Sequence, residues 1–424
     1  MTGPGRRTRL TGARVVLPHA VLGDGEVAFA DGLITSVGVA GTATGSAGSA
    51  GSAGSAGSAD AAAGETVLDL GGQWLVPGFV DMHVHGGGGA SYMSGDPEQA
   101  LRAAAFHRTH GTTTTMASLV TAPHDELLRA VSALSGLVQD GELAGLHLEG
   151  PYLSRARCGA HDPDMLRDPD RDELAALLKA GRGTVRMLTL APELPGGVEM
   201  VRQLVDAGVL AAVGHTDGTH RETQAALAAG ASVATHLFNA MRSVHHREPG
   251  PVTALLQDSD VVVELINDGV HLHPGIVNLA FQAAGSARVA FITDAMSAAG
   301  MPDGTYPLGP MTARVEGGIA RLVDGDSIAG STLTLDRALR TAVRENHLPV
   351  TDAVRALTST PARALGVADR VGSIEPGKQA DLVVLDADLR VAHVLWRGQW
   401  VGSAPRTTPG AAPGTASGTA PGTR

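Results

Sequence analysis

The sequence predicts an α/β fold, a (β/α)8 TIM-type barrel with a small β-sandwich domain built from both termini. Three observations lead to this prediction: a length of 424 residues, eight apolar runs that alternate with helical stretches, and further strand patterns at both ends of the chain. A chain of this length suits one large barrel with a small satellite domain. Hydrophobic residues make up 43% of the sequence, which is enough for a sizeable core.

The eight apolar runs have the character of buried strands, and their starts lie roughly 20 to 40 residues apart, as in a βα repeat. In chain order they read PGFVDMHVH, TTTTMASL, GLHLE, RMLTL, LAAVGH, SVATH, VVVELI and VAFITD. Helical patterns such as DPEQALRAAAFHRTH and PHDELLRAVSALSGLVQ lie between them. Eight parallel strands joined by crossover helices close into a barrel. An open, doubly wound sheet is the structural alternative.

The two ends of the chain carry short alternating strands with tight turns, and we interpret them as one small β domain. The predicted division is an N-terminal part of this domain (1–72), the barrel (73–370), a C-terminal part of the small domain (371–403) and a disordered tail (404–424). Residues 41–64 form a Gly/Ser/Ala tract that cannot bury apolar surface, so we expect a flexible loop there.

Charge and composition exclude several classes of partner. The formal net charge is −11, and no basic block offsets it apart from a short Arg run near residue 6, so nucleic acid is not expected. That run is not followed by a continuous apolar stretch, so it does not resemble a secretion signal. No segment approaches ~20 consecutive apolar residues, so no membrane span is expected. With one Cys the chain cannot form an internal disulfide, and a cytoplasmic location fits.

Histidines and acidic residues stand at the C-terminal ends of five predicted strands. In chain order they are His83, His85, Glu149, His215, His236 and Asp294. In a barrel these ends meet at one rim, where active sites lie. Because residues i and i+2 of a strand point to the same side, His83 and His85 can both face the barrel axis. The glycines of VDMHVHGGGG are expected to leave room for a ligand.

Each of these residues alone has an ordinary structural explanation. Glu149 could be a buried carboxylate paired with an arginine, His215 and His236 could be satisfied core histidines, and Asp294 could be a helix N-cap. Their convergence is harder to explain by packing, because buried charges and imidazoles need partners. A divalent metal satisfies carboxylate and imidazole ligands at once, so the sequence predicts a metal site. The place of Asp294 at the end of the last strand favours a catalytic base.

Five motifs on the predicted strands, HVHG, HLEGP, GHT, THLFNAM and TDA, resemble those of the amidohydrolase superfamily. The longer series HLEGPYL…GAHDP…GHTD…THLFNAM…REPG…NDGVHLHP…TDAMSAAG is similar to the N-acetylglucosamine-6-phosphate deacetylase family, over about residues 70–385. The resemblance implies hydrolysis of N-acetyl-D-glucosamine 6-phosphate to D-glucosamine 6-phosphate and acetate, in amino-sugar catabolism and cell-wall recycling. The alternatives are an N-acyl-amino-acid deacetylase, dipeptidase or cyclic amidase without phosphate recognition, an inactive metal-binding scaffold, or a small-molecule sensor.

The resemblance also implies a set of metal ligands. Glu149, His215 and His236 match the ligands of the principal site. His83 and His85 match a pair that holds a second metal in some members, with Glu149 bridging. One or two ions per subunit are therefore expected. Zn²⁺ is the first choice, and such ligands also suit Fe²⁺ or Mn²⁺.

The remaining roles concern catalysis and substrate. By resemblance, Asp294 matches the catalytic acid/base, and His161 matches the residue that polarises the acetyl carbonyl. The residues that match phosphate contacts are Asn239, the backbone of Ala240, Arg247 and His271. In a homodimer of the family, the residue matching Arg247 reaches the neighbouring site. Cys158, close to His161, departs from the family pattern and is either a loop filler or a substrate contact.

Overall fold

The computed structural model describes residues 7–39, 65–325 and 327–405. The tract predicted to be flexible at 41–64 lies outside these residues, and so does the predicted tail from residue 406 onward. The strands of the described residues, numbered in chain order, are β1 (Thr8–Val16), β2 (Val21–Ala30), β3 (Leu33–Val39), β4 (Thr66–Asp69), β5 (Trp74–Pro77), β6 (Phe79–Asp81), β7 (Gly86–Gly87), β8 (Ala90–Ser91), β9 (Thr112–Val120), β10 (Gly145–Glu149), β11 (Val185–Leu190), β12 (Leu210–Val213), β13 (Val233–Ala234), β14 (Val262–Ile266), β15 (Val289–Ile292), β16 (Gly304–Leu308), β17 (Met311–Glu316), β18 (Ile319–Leu322), β19 (Leu382–Leu385), β20 (Val391–Trp396) and β21 (Gln399–Val401).

The helices lie mainly between the barrel strands and after the last of them. They are α1 (Pro97–Thr109), α2 (His124–Gln139), α3 (Arg171–Gly181), α4 (Gly197–Asp206), α5 (His220–Ala228), α6 (Gly250–Gln257), α7 (Pro274–Ala284), α8 (Leu335–Arg344), α9 (Val350–Leu357) and α10 (Ser359–Ala364). Among the described residues, no helix has both the length and the apolar character that crossing a membrane requires.

Eight parallel strands form the barrel sheet, in the order β6, β9, β10, β11, β12, β13, β14 and β15. They correspond to the eight predicted runs, and helices α1 to α7 occupy the seven crossovers in turn. The first and last strands meet through the residues that follow them. The Asp294 N–H donates to the carbonyl of His83 at 2.9 Å, and the His85 N–H donates to the carbonyl of Ala295 at 2.8 Å. The predicted barrel is confirmed, and the open-sheet alternative is wrong.

The barrel strands are buried on both faces, as parallel strands covered by helices must be. Every residue of β10 is buried, for example. The barrel interior also holds a chain of hydrogen bonds beneath the rim: His147 Nε2 lies 2.8 Å from Thr189 Oγ1, which lies 2.8 Å from Thr235 Oγ1. These polar groups therefore satisfy one another, as buried polar groups must.

The second sheet joins the two ends of the chain. Its order is β21, β20, β19, β5, β1, β2 and β3, with β4 paired to β1. The strands from the two ends of the chain join where β5 pairs with β19 in an antiparallel arrangement. The sheet surrounds a core of its own, which includes Leu10, Ile34 and Leu395. The predicted small β domain built from both termini is confirmed, and its sheet extends through Pro77, beyond the predicted segment 1–72.

A third sheet, absent from the sequence prediction, follows the last barrel strand. Strands β16, β17 and β18 are antiparallel and in that order. Their buried residues Leu308, Ala313 and Val315 pack with Met296 in a separate hydrophobic cluster. Because this sheet leaves the barrel on the rim that carries Asp294, it contributes to the wall of the cavity described below.

Candidate metal centre and active site

Two clusters of potential metal ligands lie at the rim formed by the C-terminal ends of the barrel strands. One cluster consists of Glu149, His215 and His236, and the other of His83, His85 and Asp294. All six residues are buried, and within each cluster the ligand atoms lie within 4.8 Å of one another. The structure therefore brings together residues as far apart in the sequence as His83 and Asp294, as the barrel prediction requires.

Glu149 stands between the two clusters and turns one oxygen toward each. Its Oε1 lies 3.1 Å from His215 Nε2 and 3.0 Å from His236 Nε2. Its Oε2 lies 3.2 Å from His85 Nε2 and 3.5 Å from His83 Nε2. This is the geometry of a carboxylate that can bridge two cations.

The hydrogen bonds behind three of the histidines fix which ring nitrogen faces the centre. The Nδ1 atoms of His83, His85 and His215 lie 3.1, 3.1 and 2.9 Å from acceptors, which are in turn Glu264 Oε2, the Ser118 carbonyl and the Arg157 carbonyl. Carbonyl and carboxylate oxygens only accept hydrogen bonds, so each Nδ1 carries a proton, and each Nε2 is the nitrogen that would present a lone pair to a metal ion. Hydrogen bonds of this kind orient histidine ligands in metal sites.

The converging nitrogens fit a cation better than they fit one another. His215 Nε2 and His236 Nε2 are 3.0 Å apart, and His83 Nε2 and His85 Nε2 are 3.1 Å apart. Two lone pairs at these separations repel unless a positive charge lies between them. A set of imidazole nitrogens and carboxylate oxygens is the donor set of Zn²⁺ and of first-row divalent metals.

The electrostatics of the site also favour a cation. Burial by itself lowers the pKa of His85, but Asp294 and Glu149 outweigh burial and raise that pKa to about 9. Burial likewise opposes the charge on His83, yet the carboxylates Glu149 and Glu264 raise the pKa of His83 well above its usual value. The protein thus holds the site at a negative potential, and a divalent ion would neutralise it.

A cavity of about 360 Å³ opens above the two clusters. The predicted site residues that line it are His85, Glu149, His161, His215, His236, Asn239, Ala240, His271 and Asp294. Leu308 and the segment around Ile328 form part of its wall. Arg247 is not among the lining residues of the described chain; it is exposed, and its guanidinium lies 2.6 Å from His246 Nε2.

His161 is oriented as a hydrogen-bond donor toward the cavity. The backbone N–H of Thr121 donates to His161 Nδ1 at 3.3 Å, which makes Nδ1 an acceptor. Burial lowers the pKa of His161 to about 4, so the ring is neutral at pH 7 and its proton lies on Nε2. That Nε2 lies 3.5 Å from Glu149 Oε2, at the floor of the cavity.

Asp294 is ionised and stands beside the first-strand histidines. Its Oδ1 lies 3.1 Å from His85 Nε2. Burial opposes its charge, but the hydrogen bond from His85 and the nearby His83 prevail and lower the pKa of Asp294 to about 2. The structure thus also places Asp294, the predicted base, among the potential metal ligands. Within the described residues no helix begins at Asp294, so the N-cap alternative is wrong.

The backbone at the strand ends is strained where the site residues stand. His215 (φ 46°), His236 (φ 29°), Ala240 (φ 49°) and Asp294 (φ 49°) have left-handed conformations. Residues other than glycine persist there at a cost of ~1–3 kcal/mol each, only when the surroundings determine the conformation. Sequence reasoning had no signal for this strain, because it depends on packing around the rim.

The glycines after His85 serve packing, which corrects the expectation that they leave room for a ligand. A Cβ on Gly86 would lie 2.3 Å from the carbonyl oxygen of Ala90, and one on Gly87 would lie 2.6 Å from His107 Nε2. These glycines let β7 approach β8 and α1, and they do not line the cavity.

Sequence reasoning also missed the ion pairs that hold the loop before His161. Arg157 donates to Asp217 Oδ1 through Nε at 2.9 Å, and Arg242 donates to Asp217 Oδ2 at 2.8 Å. Asp217 therefore ties this loop to the segments that follow His215 and His236. Cys158, in the same loop, is half-buried and does not line the cavity.

A closed parallel barrel with imidazoles and carboxylates converging at the rim of one cavity is the arrangement of a metal-dependent barrel hydrolase. The chain belongs to the amidohydrolase family, whose model matches residues 74–409. The family predicted from the sequence motifs is therefore confirmed.

Several relatives resemble the chain over most of its length. It is 37% identical over 338 residues to an N-acetylgalactosamine-6-phosphate deacetylase of Escherichia coli O157:H7, covering 79% of this chain and 89% of that protein. It is also 37% identical over 331 residues to an N-acetylglucosamine-6-phosphate deacetylase of Bacillus subtilis (strain 168), covering 76% of this chain and 83% of that protein. The chain is 46% identical to a mutant N-acetyl-D-glucosamine-6-phosphate deacetylase from Mycobacterium smegmatis, whose structure was solved in complex with N-acetyl-D-glucosamine-6-phosphate. The TM-score is 0.86, and the match covers 94% of this chain and 100% of that one.

Proposed function

We propose that this chain hydrolyses the acetamide of N-acetyl-D-glucosamine 6-phosphate, giving D-glucosamine 6-phosphate and acetate. The observation that carries the proposal is the position of Glu149 between two ligand clusters, on the floor of a cavity that also holds His161 and Asp294. The names of the relatives support the same substrate class. The cytoplasmic location stays a prediction from the sequence.

In this proposal Glu149, His215 and His236 would hold the principal ion, and His83 and His85 would hold a second ion, with Glu149 shared between the two sites. One or two ions per subunit fit the geometry. Zn²⁺ is the first choice because imidazole nitrogens predominate among the ligands, and Fe²⁺ or Mn²⁺ are the alternatives.

A divalent ion, when bound, polarises the acetyl carbonyl and lowers the pKa of water from 15.7 to ~7, which supplies the nucleophile near neutral pH. Asp294 accepts the proton of the attacking water, because its carboxylate is ionised. His161 donates its Nε2 proton in a hydrogen bond to the carbonyl oxygen as negative charge develops there. Asp294 then returns the proton to the departing glucosamine nitrogen, so one residue is base and afterwards acid.

The phosphate is bound away from the reacting carbon, by Asn239, the Ala240 backbone N–H and His271. His271 Nδ1 lies 2.7 Å from Asp268 Oδ2, and this contact outweighs burial and raises the pKa of His271. His271 can therefore carry positive charge toward a phosphate. Binding energy from this remote group holds the acetamide in place for attack.

The proposal is tested by measuring acetate release together with the metal content of the purified protein. The substrates to compare are N-acetylglucosamine 6-phosphate, its galactosamine epimer, N-acetylglucosamine without phosphate, and an N-acetyl amino acid. We expect the highest kcat/KM for a 6-phosphorylated sugar. A higher kcat/KM for the amino acid derivative would favour the alternative amidohydrolase activities, and bound metal without turnover of any substrate would favour a scaffold.

Replacing His161 with asparagine tests the role of its Nε2 proton. We expect kcat to fall by ~10²–10³, the usual cost of losing one donor to a developing oxyanion. Metal content should stay at the wild-type level, because His161 belongs to neither ligand cluster. Steady-state kinetics with metal analysis check both points, and a kcat within threefold of wild type would contradict the role.

Replacing Arg247 with alanine tests phosphate recognition across a homodimer. Arg247 is exposed and lies outside its own cavity, so we propose that its guanidinium reaches the phosphate in the neighbouring subunit. An Arg fork binds phosphate through two parallel hydrogen bonds. KM should therefore rise at least ~10-fold for the phosphorylated substrate, given ~1.5–3 kcal/mol for a charged hydrogen bond, and little for the sugar without phosphate. The matched control is Arg202→Ala, on the exposed face of α4.

A mixed dimer separates a contact from the partner from a contact within one chain. Arg247→Ala subunits and Asp294→Asn subunits are each nearly inactive at subsaturating substrate. A heterodimer of the two contains one site with an intact Asp294 and the partner's Arg247, so part of the activity should return. Proven heterodimers without any recovery would show that Arg247 does not act across the dimer.

A further inference from the structure

Glu264 is a carboxylate of the barrel interior that the mechanism above does not use. It lies in the middle of β14, and its side chain is completely buried. Its Oε2 accepts hydrogen bonds from His83 Nδ1 at 3.1 Å and from the backbone N–H of His236 at 3.2 Å. Its Oε1 has no hydrogen-bond partner among the residues that the structure describes. Glu264 therefore stands directly behind one ligand of the second cluster.

This environment is costly for a residue that only fills space. A buried polar atom without a partner costs ~1–3 kcal/mol, and more when the group is charged. An apolar side chain of similar size at this position would avoid that cost, and the flanking residues Val263 and Leu265 are both apolar and fully buried. A carboxylate at this position is explained if its negative charge serves the side chain that it contacts, which is His83.

His83 differs from the other ligand histidines in the group that its Nδ1 contacts. The Nδ1 atoms of His85 and His215 donate to neutral carbonyl oxygens, and His236 Nδ1 has no partner within the described part of the chain. His83 alone among these four rings has its Nδ1 directed at a carboxylate. A carboxylate behind a histidine ligand fixes the tautomer and raises the basicity of the nitrogen that binds the metal.

We propose that Glu264 is the positioning residue of the second cation site: it holds His83 with its proton on Nδ1 and strengthens His83 Nε2 as a ligand for a divalent ion. The ion of the Glu149, His215 and His236 cluster does not depend on this charge. The hydrogen bond that Glu264 makes with that cluster comes from the backbone N–H of His236, which any acceptor at this position can satisfy. The inference rests on the metal site of the proposed function and not on its substrate.

The test counts ions and does not measure turnover. The full chain and its Glu264→Gln variant are equilibrated with buffers of graded free Zn²⁺, and bound zinc is measured. The glutamine oxygen can still accept from His83 and His236, so only the charge is removed. We expect wild type to bind two ions. The variant should bind one with unchanged affinity and the other ~10–100-fold more weakly, the usual effect of removing such a partner.

Three further variants make the result specific. Thr189→Val removes another buried polar group of the barrel interior, one that contacts His147 and Thr235 and no ligand, and should leave both affinities unchanged. Glu264→Asp keeps the negative charge but moves it away from His83, because the side chain is shorter. The affinity of this variant for the second ion should therefore lie between those of Glu264→Gln and wild type. Glu264→Asp also provides the test if Glu264→Gln does not fold. Adding Glu264→Gln to His83→Ala should not weaken zinc binding beyond His83→Ala alone.

Four results would overturn the inference. They are unchanged affinity for both ions in the Gln and Asp variants, equal weakening of both ions, a further loss in the double variant, and a wild-type protein that binds a single ion at every free Zn²⁺ concentration. Because acetate release is not measured, an error in the proposed substrate leaves the zinc result unchanged. The two failures can therefore be told apart.

Discussion

The variant Asp294→Asn is expected to lower kcat by ~10²–10⁴, the usual contribution of a positioned acid/base. Asparagine has nearly the same shape but cannot accept the water proton or return it to the leaving amine. In wild type the Asp294 carboxylate is ionised, as a proton acceptor must be, because its pKa is lowered to about 2 despite burial. The position at the end of the last barrel strand aims it at the cavity.

The metal content of this variant distinguishes a catalytic role from a purely ligating one. Asp294 Oδ1 lies beside His85, so loss of its charge can weaken the second ion. The ion of Glu149, His215 and His236 should remain. The control is Asp260→Asn, in an exposed turn before β14. A variant that keeps its metal and turns over within tenfold of wild type would contradict the acid/base role.

The variants His215→Ala and His236→Ala should lose metal and activity together. Each removes one of the three ligands of the principal cluster, and their Nε2 atoms both lie about 3 Å from Glu149 Oε1. An ion contributes several kcal/mol of transition-state stabilisation. Its loss should therefore lower kcat more than ~10³-fold, since each 1.36 kcal/mol is a factor of ten.

Comparison with His83→Ala shows whether the two clusters are distinct. That variant should lose at most the second ion and retain the principal one. Bound metal and kcat are measured for all three histidine variants, with His393→Ala in the terminal sheet as the control. Equal metal loss in the three site variants would mean that the six residues form one site and not two.

The barrel could be predicted because its signals are local. Each strand is a short apolar run, and the ligands stand at the ends of these runs, so the topology alone brings them to one rim. The third sheet was missed although β17 alternates, with Ala313 and Val315 buried between exposed neighbours. This signal is weak because the alternation covers only the six residues of β17.

Glu264 could also have been found, because it is a single charged residue inside the apolar run VVVELI. What no sequence pattern could provide is the direction of each ring. The proton on Nδ1 of His215 depends on the carbonyl of Arg157, and that of His85 on the carbonyl of Ser118. These contacts arise only when separate loops meet.

The closure of the barrel has a consequence for stability. The backbone bonds that join the first and last strands involve His83, His85 and Asp294, which are also the second ligand cluster. An ion held by these residues would join the two edges of the sheet, and the unfolded chain has no such site. Metal binding and folding would therefore be thermodynamically linked, and an ion at 100 times its Kd would add about 2.7 kcal/mol to the free energy of unfolding. We therefore expect the free energy of unfolding of this chain to rise with the concentration of free divalent metal ion.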